Sequence, residues 1–323
     1  MFFDHLSPEV LTSLGALVVA LVVASIVVSR KDPNTESGLE LRLRVQTWWW
    51  IVGLFALALA LDQTIAILFF AFVSFLALKE YLSLIPTRRA DRRVLFWAYL
   101  SIPVQFYWVY IGWYGMFVVF IPVYMFLLLP VRMITVGATD GFLRAAATLH
   151  WGLMTTVFSL SHAAMLLVLV PVTDARLQPA WPSSGDAFPP GFGLLLFVVM
   201  LTQLNDVAQF IWGKSLGKDK IVPRVSPGKT VAGFTGGVAT TVVLAGLIGP
   251  WLTIMDLPRA LIAGLVIGIG GFVGDVCISA IKRDLHVKDS GAMLPGHGGI
   301  LDRTDSLTYT APLFFHYVFF WYG

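Results

Sequence analysis

A chain of 323 residues that is 57% hydrophobic and only 13% charged, with a mean hydropathy of +0.80, is no soluble globular domain, in which about a quarter of residues carry charge. The formal net charge of +3 is too small to suggest a nucleic-acid surface, and no nucleic-acid partner is expected. The single cysteine, Cys277, excludes an intramolecular disulfide and is read as packing inside a span.

Apolar runs long enough to cross a bilayer, about 20 residues as helix, recur along almost the whole length. The predicted fold class is therefore an all-α polytopic integral membrane protein of about ten transmembrane helices. The opening MFFDHLSPEV carries Asp4 and Glu9 but no Lys or Arg, unlike a secretory leader, so the first run is expected to stay in the mature protein. In chain order the spans are read at 10–29, 46–61, 64–82, 93–111, 114–131, 147–171, 191–212, 231–251, 259–281 and 306–322. The second is short, and WWW at 48–50 looks like its interfacial anchor.

The connecting loops alternate in charge. Arg30, Lys31, Arg42 and Arg44, then Arg88, Arg89, Arg92 and Arg93, then Arg132 and Arg144, fall on one side together with the basic residues of 214–229 and 282–303. The intervening loops, including the Pro-rich stretch from Val172 to Pro190, carry almost none. The positive-inside rule then predicts cytoplasmic basic loops and both chain ends outside. The Pro-rich stretch reads as an external spacer, and no internal repeat is evident by eye.

Three polar constellations occupy the last 120 or so residues, and this topology brings them to the cytoplasmic side. In the first, Thr202, Asn205/Asp206, Gln209 and Gly213 repeat at helical spacing as one stripe near the inner end of the seventh span. Facing lipid, a central Asp costs roughly 2.5–3.5 kcal/mol, so the stripe is expected to face the interior, a wet cavity or a cation. Interhelical hydrogen bonding that merely glues helices is the alternative.

The second, RVSPGKTVAGFTGG from Arg224 to Gly237, contains GKT but has Pro223 where a P-loop needs glycine, so it is not a P-loop. What remains is a turn with Ser226 and Lys229 leading into a helix near Val231, suited to an anion or to lipid head groups.

In the third, Asp275, Ser279, Lys282/Arg283 and His286 fall at i, i+4, i+7/8 and i+11, giving a helix leaving the membrane one acidic and basic face. Lys288, Asp289, His297, Asp302, Arg303 and Asp305 follow in LPGHGGILDRTD and the segment before it. Paired carboxylates beside Lys and Arg are what a magnesium-phosphate site requires. Isolated histidines and a lone cysteine make zinc a poor expectation. His297, enclosed by Pro-Gly and Gly-Gly, is placed to donate to phosphate or shuttle a proton.

The run from Ser279 to Asp305, S-A-I-K-R-x4-K-D-x-G-x2-L-P-x-H-G-G-I-x-D-R-x-D, resembles the signature of phosphatidate cytidylyltransferases, or CDP-diacylglycerol synthases, at every fixed position. SPGKT with its following GG resembles a second segment of that family, and FVSFLALKEYLSL from Phe72 to Leu84 a weaker one. The likeness runs from about residue 64 onward and divides the chain into N-terminal helices 1–63 outside it, central helices 64–190 and a catalytic membrane region 191–323. Gln209 and Phe210 stand where the family usually has Ala and Tyr, and Ile278 where many members have Glu. These departures leave the acceptor or subfamily open more than the reaction.

The resemblance implies transfer of CMP from CTP to phosphatidate, giving CDP-diacylglycerol and pyrophosphate in phospholipid biosynthesis, by an integral membrane enzyme. It implies Asp275 and Asp302 as magnesium ligands and, with Lys282, Arg283 and His297, as catalytic residues. Ser226, Lys229, Ser279, Lys288, Asp289, Arg303 and Asp206 would bind substrate. A second metal or monovalent ion and a homodimer stay open. The rival readings are transfer to another lipid phosphate, a CTP-using lipid kinase, and an ion-coupled transporter using Asp206 and Asp275.

Overall fold

The computed structural model describes residues 6–32, 35–86, 92–135, 137–173, 176–179, 190–291, 293 and 298–323. His297, Arg88 and Arg89, and most of the Pro-rich stretch lie outside the described residues. The protein is an all-α polytopic membrane protein, and among the described residues seven helices are long and apolar enough to cross a membrane.

Helix α1 (Pro8–Ser29) is capped by Ser7, whose hydroxyl accepts from the Val10 amide, and starts on a proline whose missing N–H costs nothing there. Helix α2 (Glu36–Leu61) begins ten residues before the expected span. Thr35 caps it through the Gly38 amide at 3.1 Å, and the i,i+4 pair Glu40–Arg44 supports the added turns, so the helix runs on past the apolar core. Asp62 ends α2 and caps α3 (Gln63–Leu84) through the Thr64 amide.

Helix α4 (Arg92–Tyr110) follows the fourth expected span. Helices α5 (Tyr114–Val119) and α6 (Phe126–Ile134) are one rod joined by a π-helical turn, Phe120–Met125, around Pro122, which cannot donate an intrahelical bond. Helices α7 (Phe142–Leu153) and α8 (Ser159–Leu167) are joined likewise through Met154–Phe158, where Thr155 and Thr156 bond back to the carbonyls of Trp151 and Gly152. The sixth span therefore ends at Leu167. The residues expected to finish it form β1 (Leu169–Thr173), paired antiparallel with β2 (Arg176–Pro179) in a hairpin that the apolar run concealed.

The C-terminal bundle is α9 (Pro190–Leu216), α10 (Val231–Leu252), α11 (Leu257–Asp284), the short α12 (Ile300–Thr304) and α13 (Leu307–Tyr322). Helix α10 lies between α9 and α11, and the contacts are made by small residues. A Cβ on Gly264 would stand 2.5 Å from Ala245 Cβ and 2.9 Å from Val242 Cα, and one on Gly271 2.8 Å from Asn205 Nδ2. The upper half of the α9 stripe is interhelical glue. Thr202 Oγ1 meets Thr310 Oγ1 at 2.8 Å, while Asn205 donates to Gly268 O at 3.2 Å and accepts from Thr241 Oγ1 at 3.0 Å.

Helix α11 stops at Asp284 and His286 takes a left-handed backbone (φ 56°), so the expected polar face ends at Arg283 and His286 is not part of it.

Gly264→Leu should wedge α10 from α11 and cost about 1–3 kcal/mol, lowering the thermal unfolding midpoint in detergent. Gly15→Leu, at a position with nothing within 4 Å, should leave it unchanged. Equal midpoints for the two variants would disprove close α10–α11 packing.

Candidate active site

The site is built around a carboxylate that the sequence analysis passed over. Glu80, near the end of α3, is 6% exposed. Its Oε1 accepts the Ile300 amide at 2.9 Å, and its Oε2 accepts the Leu301 amide at 2.9 Å and the Ser290 hydroxyl at 3.2 Å. A helix N-terminus leaves amides without partners, and here a side chain more than 200 residues away supplies them. A lone acid in an apolar run was the available signal, because such an acid is tolerated only when satisfied.

Asp302 in α12 is clamped in the same knot. Its Oδ2 accepts the Ser290 amide at 2.8 Å and the Gly299 amide at 2.9 Å, and its Oδ1 accepts Lys282 Nζ at 2.8 Å. Burial opposes ionisation of Asp302, but the Gly299 amide, Lys282 and the Ser290 amide outweigh it and hold the carboxyl below its usual range. Gly298 has φ +78°, and a Cβ there would stand 2.5 Å from Asp302 Oδ2; one on Gly299 would stand 2.3 Å from Glu80 Oε2. Both glycines of the GG pair are thus fixed by carboxylates pressed against their backbone.

Across from this knot, Asp275 of α11 forms an ion pair with Lys229 and accepts the Ser279 hydroxyl at 3.3 Å. The turn before α10 delivers Lys229: Ile221 N bonds to Lys229 O at 3.1 Å, Val231 N to Asp219 O at 3.0 Å, and Ser226 O accepts the Lys229 amide at 3.1 Å. Lys229 also donates to Gln209 Oε1 at 2.9 Å. Ser226 shapes this turn through its backbone. Arg283, expected at the reacting phosphates, donates from its Nε to Val225 O at 3.1 Å and so ties α11 to the same turn.

A cavity of about 860 Å³ joins these parts. Asp206, Asp275, Lys282, Lys288, Asp289, Asp302 and Arg303 line it, as the sequence reading expected of one site, and Asp305, Glu40, Arg44 and Trp48 line it too. Asp206 accepts from Ser306 Oγ at 3.1 Å and lines the cavity, whereas the next residues of the α9 stripe pack toward α10: Gln209 accepts from Lys229, and Gly213 lies against Thr230 and Gly233. The carboxyl of Asp305 is pushed well above its usual range, first by desolvation and then by the charges of Asp275 and Asp206.

Three mutually repelling carboxylates, Asp206, Asp275 and Asp305, are the hard-oxygen donors a small divalent cation prefers. Among the described residues no three acidic, His or Cys side chains already converge on one point. Ammonium groups stand on the two expected ligands instead: Lys229 on Asp275 and Lys282 on Asp302. The donor set thus fits such a cation in chemistry, provided the ammonium groups share or yield their aspartates.

A sequence model described as the cytidylyltransferase family matches residues 42–321. That match starts in α2, ahead of residue 64 where the motif likeness begins. The chain is 44% identical to "Uncharacterized protein YnbB" of Escherichia coli (strain K12) over 95% of this chain and 97% of that protein. It is 41% identical to a phosphatidate cytidylyltransferase of Synechocystis over 44% of this chain and 50% of that protein. The corresponding enzyme of Bacillus subtilis is 40% identical over 39% of this chain and 47% of its own length. The matched region thus spans about half the length of these two named enzymes.

Glu80→Gln should strand one or more buried amides, at about 1–3 kcal/mol for each unsatisfied group, and should speed hydrogen exchange at Ile300 and Leu301. Unchanged exchange there would refute the cap. Asp305 titrates with the opposite sign to Asp302. Its raised folded value makes its contribution complete below the unfolded value of about 3.9 and lost as pH rises through the folded one. In metal-free protein, Asp305→Asn should therefore raise the unfolding midpoint near pH 7 and lose that advantage below about pH 4. A gain independent of pH would contradict the carboxylate repulsion.

Proposed function

The chain belongs to the cytidylyltransferase family and is a nucleotidyltransferase, and from that premise we propose that it transfers CMP from CTP to phosphatidate, giving CDP-diacylglycerol and pyrophosphate. The observation that carries this reading is one cavity lined by Asp206, Asp275, Asp302 and Asp305 together with Lys282, Lys288 and Arg303. Basic loops on the same side support a cytoplasmic placement of this chemistry.

An oxygen of the lipid phosphate monoester attacks the α-phosphorus of CTP. The bond from that phosphorus to the bridging oxygen breaks, and its electron pair leaves with pyrophosphate. The nucleophile is already ionised near neutral pH, so no strong general base is required. What the protein must supply is charge neutralisation and alignment of two polyanions. Magnesium, when held by Asp275 and Asp302, supplies Lewis-acid stabilisation of the developing charge. Lys282 and Lys229, which pair with Asp302 and Asp275, would neutralise phosphate oxygens; Ser279 would hold Asp275 in register, while Arg303, Lys288 and Asp289 would border the nucleotide. Arg283 and Ser226 act by fixing the turn that carries Lys229. His297 is assigned as a phosphate donor. Asp206 and Asp305 complete the acidic wall.

Purified protein should form a CDP-lipid and release pyrophosphate from CTP only when magnesium is added. Asp275→Asn and Asp302→Asn should each abolish turnover while leaving the protein folded. Normal turnover in either would sink the metal assignment, and release of CDP in place of pyrophosphate would identify a lipid kinase.

A further inference from the structure

One wall of the cavity takes no part in the chemistry above. Arg44 and Trp48 of α2 form it with Val207 and Phe210 of α9. Arg44 and Trp48 are four residues apart, so they share a helix face with a rise of about 6 Å between them. Trp48 opens a run of three tryptophans, the residue type that settles at head-group level in a bilayer. Arg44, one turn toward water, then lies at the depth of lipid phosphates.

Arg44 pairs with Glu40 in the preceding turn, and both side chains are about half exposed, 47% and 53%. Such a pair is screened by water and exchanges readily for a better anion. Lys282 pairs with Asp302, Arg303 acts on the charge of Asp206, and both, with Lys288, are assigned above to the nucleotide and its phosphates. Arg44 is thus the lining cation on the lipid-facing side that neither the aspartates nor the nucleotide claims. Beside it Val207 and Phe210 are 48% and 65% exposed, so the α9 rim is apolar and open. Helix α2 packs chiefly on α1 and α3, which leaves its cavity face turned to α9 across that rim.

We propose that this wall is the acceptor subsite: the Arg44 guanidinium binds the phosphate of a lipid phosphate monoester, and the acyl chains leave the cavity between Trp48 and Phe210 into the bilayer. A planar fork of N–H donors matches two phosphate oxygens at once, which an ammonium group does not. The proposal rests on the cytidylyltransferase reading for what happens next, but the binding it describes does not require CTP.

The test is equilibrium binding to the full-length protein in detergent without CTP or metal, using short-chain phosphatidate, diacylglycerol and inorganic phosphate as probes. Arg44→Ala should weaken phosphatidate binding at least tenfold, and Arg44→Lys should recover part of it. Arg42→Ala, whose guanidinium turns away to the carbonyls of Ser29 and Lys31, should change nothing. In turnover, Arg44→Ala should raise the KM for phosphatidate at an unchanged KM for CTP. Equal affinity in Arg44→Ala and wild type, a matching loss in Arg42→Ala, or a shift in the KM for CTP would each overturn the subsite. Inorganic phosphate binding as tightly as phosphatidate would overturn the acyl exit. Lipid binding that depends on Arg44 without any CTP turnover would leave the subsite standing and remove the enzymatic reading, whereas normal turnover with binding indifferent to Arg44 would do the reverse.

Discussion

The Glu80 carboxylate holds the site together. Its two oxygens take the amides of Ile300 and Leu301 and the hydroxyl of Ser290. Without it, a glycine-rich segment would have to present a five-residue helix in a fixed pose with little core of its own. Helix α12 is too short to be stable alone, since nucleating a helix costs more than one turn of hydrogen bonds returns. Its order is imported from α3, and with it the position of Asp302, whose Oδ2 uses the neighbouring amides of Ser290 and Gly299. One interaction thus couples a central helix to the acidic wall of the cavity.

That coupling explains the unusual charge economy of the site. Asp302 and Asp275 each hold a lysine, Lys282 and Lys229, the first on the helix opposite and the second on the turn before α10. Asp206 and Asp305 have no such ion pair among the contacts of the described residues, and Asp305 retains its proton more readily because burial, and then the charges of Asp275 and Asp206, disfavour its anion. A metal-free cavity therefore stores unrelieved acid charge next to ammonium groups that are already placed. In the proposed reaction, a cation and a polyphosphate bound together would relieve both imbalances, whereas either alone would relieve one and aggravate the other.

Much of this was legible in the sequence, and the reasons differ by element. The spans followed from length and apolarity: among the described residues helices lie where spans were read, seven of them long and apolar enough to cross a membrane, because few apolar stretches have another stable form in lipid. The start of α10 at Val231 and the polar face that opens at Asp275 followed from local sequence. The β1–β2 hairpin was hidden because strand and helix look alike in a short apolar run. Glu80 was hidden because its partners are 210 or more residues away and no local pattern encodes them. The contact of Arg283 with Val225 was hidden for a related cause: a helix face fixes the direction a side chain leaves the backbone, and the neighbouring loop decides what it meets.

The same logic governs the N-terminal helices. Motif density placed the chemistry in the last third of the chain and left residues 1–63 outside it, yet Glu40, Arg44 and Trp48 line the cavity and the family match reaches back to residue 42. A water-soluble nucleotide needs dense polar motifs, because every contact is a charge or a hydrogen bond. An amphiphile needs one phosphate contact and an apolar way out, and a helix rich in Leu and Trp supplies the second without any recognisable pattern. A site that joins two such substrates will therefore write its polar half plainly into the sequence and its lipid half faintly; in the proposed subsite that faint trace is a single arginine one turn from a tryptophan.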